Sequence, residues 1–146
     1  MRQETDKSID TLNAFLRGEM SAVETYQQAI ERLKGSERRV ELEECQRSHE
    51  QRVQRLRQHI VQLGGEPSES SGPWGAFTRL FEGGAKAFGE RAAIAALEEG
   101  EDHGLRLYRD DIDKLDPQSR QLVEMDLLPA QERTHRSLST LKHSMH

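Results

Sequence analysis

Apolar side chains recur at alternating spacings of four and three along the first long segment, as Leu12, Leu16, Val23, Tyr26, Ile30 and Leu33. That rhythm describes the buried face of a helix and not a strand, whose inward residues would fall at every second position. One seam position breaks the pattern, because Glu19 stands where an apolar residue belongs and therefore points inward. A later segment keeps the frame through Ile94, Glu98, Glu101, Leu105, Tyr108, Ile112 and Leu115, which turns Glu98 and Glu101 inward too.

The two segments also repeat one another. A shift of 82 lays Leu12 on Ile94, Gly18 on Gly100, Glu19 on Glu101 and Tyr26 on Tyr108. A third seam runs through Leu42, Gln46, His49, Val53, Leu56, Ile60 and Leu63, and a fourth through Met125, Leu128, Glu132 and His135. A shift of 86 then places Gln46 on Glu132 and His49 on His135. Four such segments, built from Ala, Leu, Glu, Gln and Arg with only 5% aromatics, predict an all-α fold. A chain of 146 residues makes this a single four-helix-bundle domain, 1–146.

The first helix is expected over about Asp6 to Lys34, with Gly35 in the left-handed conformation at its end and Ser36 capping the second. So short a turn forces an antiparallel hairpin. The second helix stops at Gly64-Gly65, and the stretch to Pro73 reads as a linker. Beyond it Trp74, Phe77, Leu80, Phe81 and Phe88 suggest a short amphipathic helix covering one side or end of the bundle. Residues 64–89 are too many for a tight hairpin, so they predict a long crossover carrying that extra helix. The third helix is expected over about Glu90 to Leu115, Asp116-Pro117 opens the fourth, and Pro129 should kink it one turn before Glu132.

A formal net charge of -5 with interspersed signs argues against nucleic-acid binding, and Arg52, Arg55 and Arg57 beside Glu50 read as a salt-bridged surface. Neither a secretory signal nor a membrane span is read, and a cytoplasmic protein is expected. The single cysteine, Cys45, is expected to pack rather than react, and His59, His103, His143 and His146 to be solvated.

Burying a carboxylate repeatedly requires protons, hydrogen bonds, counter-charges or a metal to offset the cost. Two helices each contributing an inward Glu, and two each contributing Glu-x-x-His, make the ligand scheme of a carboxylate-bridged dimetal centre, since positions i and i+3 share a helical face. The order of Glu19, Tyr26, His49, Glu101, Tyr108 and Glu132-x-x-His135 resembles the ferritin-like superfamily over nearly the whole chain. The runs Leu16-Arg17-Gly18-Glu19, Leu63-Gly64-Gly65-Glu66-Pro67 and Gly100-Glu101-Asp102-His103 are similar to its uncharacterised bacterial DUF2383 branch.

This resemblance implies a ferritin-like bundle with Glu19, His49, Glu101, Glu132 and His135 as metal ligands and Tyr26 and Tyr108 behind them. Gln46 departs from the pattern where a Glu is expected, which puts one metal position in doubt; Glu98, on the seam of the third helix, is the better candidate to compensate, ahead of Glu50 beside His49. Iron or manganese fits a mixed carboxylate and imidazole set, with zinc as the alternative. Oxidase or peroxide-consuming chemistry would follow by analogy. The competing expectation is a non-enzymatic bundle, an interaction or stress-associated module, whose polar core is satisfied by hydrogen bonds without metal. A homo-oligomer, a dimer for preference, is expected in either case.

Overall fold

The computed structural model describes residues 2–71 and 89–145, so the predicted amphipathic helix around Trp74 to Phe88 lies outside the described residues. The described residues are helical, with no strand among them. Helices α1 (Arg2–Arg32) and α2 (Arg39–Gln62) form the first hairpin. The second is formed by α3 (Glu90–Asp111), extended by a 3-10 turn at Ile112–Lys114, and by a fourth helical run. That run consists of α4 (Pro117–Leu122), a π-helical turn (Val123–Leu127) and α5 (Leu128–His143).

The helix ends follow local chemistry. Asp116 accepts from the backbone N–H of Ser119 at 3.3 Å and Pro117 occupies the first turn of α4, as expected. Gly64, at φ 86°, takes the left-handed conformation just past α2. Gly35 does not: the first hairpin closes instead through tight backbone bonds, Ser36 N–H to Leu33 at 2.9 Å and Arg39 N–H to Ser36 at 3.3 Å. Ser36 still serves the start of α2, accepting from the N–H of Arg38 at 3.1 Å.

Side-chain pairings give the helix directions. Residues ascending α1 meet residues descending α2, from Met20 with Arg57 to Val23 with Gln46, and likewise α3, from Phe15 with Tyr108 to Tyr26 with Glu101. In the same way α2 runs antiparallel to the fourth run, through Arg52 with Thr134 and His59 with Ser119. Helices α2 and α3 therefore point the same way.

Among the described residues, two apolar clusters fill the interior. One gathers Leu12, Phe15, Leu16, Leu56, Ile60, Val123 and Leu127, and the other Tyr26, Ala29, Leu42, Cys45, Ile94, Leu97 and Leu138. Between them lies a layer of buried polar side chains from α1, α2, α3 and α5.

Candidate functional site: a buried layer of paired charges

The seam positions of α1, α2 and α3 deliver Glu19, His49 and Glu101 to the middle of the bundle, each at most 3% exposed. His49 sits between the carboxylates, Nδ1 2.5 Å from Glu19 Oε1 and Nε2 2.6 Å from Glu101 Oε2. Two carboxylates facing both ring nitrogens demand two N–H donors, which only the imidazolium has. Burial and the nearby Arg52 oppose that charge, and the Glu101 and Glu19 carboxylates overturn them, so the His49 pKa is raised above its ordinary 6.5.

Arg52, expected on the surface, is buried and supplies the second cation. Its Nη1 lies 3.3 Å from Glu19 Oε2 and also donates to Gln131 Oε1; Nη2 reaches Thr134 Oγ1 and Ser48 Oγ, each at 3.0 Å. Burial alone would push the Glu19 carboxyl up, but Arg52 and then His49 outweigh it and hold the group at about 2. Glu101 is lowered in the same sense, His49 leading the effects that offset its burial. Two carboxylates thus face one guanidinium and one imidazolium, and the layer is neutral.

The 82-residue repeat is written into the hydrogen bonds. Tyr26 donates to Glu101 at 2.5 Å and Tyr108 donates to Glu19, so each half supplies the phenol for the other half's carboxylate. Burial, with those carboxylates next, raises both tyrosines well above 10, and they remain donors. Glu101 is completed by Gln131 Nε2 at 2.9 Å and Thr134 Oγ1 at 2.6 Å.

The inward placement of Glu132 and His135 is corrected. Glu132 is 40% exposed and accepts from Arg109 at 3.4 Å; His135 faces Asp102 at 3.7 Å. The inward residues of α5 are Gln131 and Thr134, one position earlier, because Leu127 and Leu138 carry the apolar burial while Met125 is 71% exposed. The π turn, where Leu128 N–H bonds back to Val123, directly precedes Pro129, which has no N–H for the carbonyl of Met125.

Glu98 also leaves the seam, displaced by buried Leu97, and accepts from Ser139 at 2.7 Å and Lys142 at 2.9 Å. Gln46 lies at the α1–α2 edge, donating to the carbonyl of Val23 and to Gln27. Arg55 does pair at the surface, with Asp126, and His59, half-buried, lies 2.8 Å from Ser119. Cys45 is packed as expected, and burial pushes its thiol up to about 12.

The missed residues carry a sequence signal. Keeping the shift at 82 through the second helix of each half pairs Cys45 with Leu127, His49 with Gln131, Arg52 with Thr134 and Leu56 with Leu138, and all eight are buried.

These residues do not fit a dimetal centre. Both His49 nitrogens are directed at carboxylates, the guanidinium of Arg52 stands among the acids, and Glu132 and His135 lie outside. Among the described residues no group of three or more His, Cys, Asp or Glu is arranged to hold an ion. A cavity of about 40 Å³ between α1 and α3, walled by Phe15, Gly18, Ala22 and Leu107, reaches the layer. It has room for water but is far below the roughly 300 Å³ at which small-molecule pockets begin.

Comparison with known families finds a match to the family described as Domain of unknown function (DUF2383), over residues 7–114. No curated protein and no solved structure matches the chain.

Proposed function

The chain belongs to the DUF2383 family, and since that membership names no activity, we propose from the buried layer that this is a non-enzymatic helical-bundle module whose core charges are balanced by its own side chains. The observation that carries the reading is the position of His49 and Arg52, which supply the two positive charges a dimetal centre would otherwise bring. In place of ligand chemistry the layer supplies directional bonding. Removing one member of a buried, fully paired charge group costs about 3–5 kcal/mol, so the network holds four helices in one arrangement.

The finer architecture belongs to the same proposal: a ferritin-like bundle with a long crossover through about 64–89. The parallel run of α2 and α3 supports it, because a chain leaving one and entering the other must return along the bundle. Residues 66–71 begin that return along α1, with Ser68 bonded to Asn13 and Arg17 and Ser71 near Glu24. No helix among the described residues is long and apolar enough to cross a membrane.

The test is thermal unfolding of untagged protein with and without chelator at neutral pH, together with elemental analysis and anaerobic ferrous titration. A core balanced by its own cations melts identically in both and takes up no stoichiometric iron, manganese or zinc. A chelator-dependent melting temperature with one or two ions per chain would return the reading to a metal-binding protein.

A further inference from the structure

The two hairpins bring unequal charge to the layer they share. The first contributes Glu19, His49 and Arg52, an excess of one positive charge; the second contributes Glu101 with the neutral Gln131 and Thr134, one negative charge. We propose that this inequality is a pairing code: the inner face of the α1–α2 hairpin accepts the inner face of the α3–α5 hairpin and rejects a second copy of itself.

The repeat explains why such a code is needed. The tyrosine exchange between Tyr26 and Glu101 and between Tyr108 and Glu19 uses residues that both halves possess, so it would also form between two copies of one hairpin. Most of the apolar seam is likewise shared, Leu12 matching Ile94 and Leu56 matching Leu138. Within the layer the charge difference between the halves comes from His49 and Arg52, which stand against the neutral Gln131 and Thr134. Two first hairpins would enclose two carboxylates with four cationic groups, and two second hairpins two carboxylates with none. Either mismatch buries uncompensated charge, which is far more costly than losing surface pairs. The permitted partner is the complementary hairpin, whether of the same chain or, by exchange, of a second copy of it.

This inference rests on the metal-free reading, and its test keeps the two apart. Three variants of the full chain are compared with the parent: H49Q/R52T, Q131H/T134R, and all four changes together, which moves the cation pair to the other hairpin. Each double change is expected to lower the melting temperature by about 10 °C or more, or to prevent folding, and the quadruple change to recover at least half of that loss. The gentler cycle of H49Q, E101Q and H49Q/E101Q probes the same balance with near-isosteric side chains; the double variant, neutral again, should unfold at higher urea than either single one. Recovery in the isosteric cycle supports the code whether or not the quadruple variant folds, and strictly additive losses in that cycle overturn it. All melts are run with and without chelator. Chelator dependence of the parent defeats the metal-free reading, whereas indifference combined with additive losses defeats the pairing code alone.

Discussion

Arg52 lies against Glu19 in the middle of the bundle, Nη1 3.3 Å from Oε2, with neither side chain more than 4% exposed. An arginine so placed is a counter-ion, and its removal strands a carboxylate away from water. Arg52→Leu is expected to cost about 3–5 kcal/mol in urea unfolding. Replacing both partners by leucine should recover much of that, because an apolar pair leaves no charge unmatched. A single variant as stable as the parent would show that Glu19 is satisfied without the guanidinium.

The same pairing sets a pH profile. Glu19 titrates at about 2 when folded against an ordinary 4.5, so its contribution is present above 4.5 and is lost as pH falls toward 2. His49 is shifted upward from 6.5, so its contribution is complete below 6.5 and is lost as pH rises through its elevated folded value. Stability should therefore peak between about pH 4.5 and 6.5. Urea midpoints measured across pH should show His49→Gln flattening the alkaline limb and Glu19→Gln the acid limb. An alkaline limb unchanged in His49→Gln would assign that limb to another group.

Glu132 and His135 should matter little, since each is partly exposed and its partner is a surface charge. Glu132→Ala and His135→Ala are expected to shift stability by no more than about 0.5 kcal/mol, against at least about 2 kcal/mol for Gln131→Ala, which leaves part of Glu101 unpaired. Comparable losses in all three variants would place Glu132 and His135 back in the core.

What could be read from the sequence divides along physical lines. Glu19, His49, Glu101, Tyr26 and Tyr108 lie on uninterrupted helices where spacing alone decides which face a residue occupies. Arg52 was hidden because its type ordinarily belongs to the surface, and only the carboxylates brought by other helices make its burial favourable. Along α5 two frames one residue apart compete, and the Glu-x-x-His pattern favours the wrong one. The burial of Leu127 and Leu138 and the widened π turn before Pro129 select the other. Glu98 fails for a related reason, since its neighbour Leu97 gains more by entering the core.

Two glycines on facing helices test how tightly the layer is fitted. A Cβ at Gly18 meets nothing within 4 Å, so Gly18→Ala keeps only the gain in helix propensity and should stabilise by about 0.5–1 kcal/mol. At Gly104 the same Cβ would come 2.8 Å from Gln131 Nε2. That amide cannot swing away freely, because it is bonded to the Glu101 carbonyl at 2.7 Å and carboxylate at 2.9 Å, while its oxygen accepts from Arg52. Gly104→Ala is therefore expected to lose about 1–2 kcal/mol despite its better propensity. In a Gln131→Ala background the obstacle is gone, and Gly104→Ala should become stabilising, as Gly18→Ala is in the parent. A loss of the same size in both backgrounds would mean that Gly104 is required by the backbone and not by the amide it makes room for.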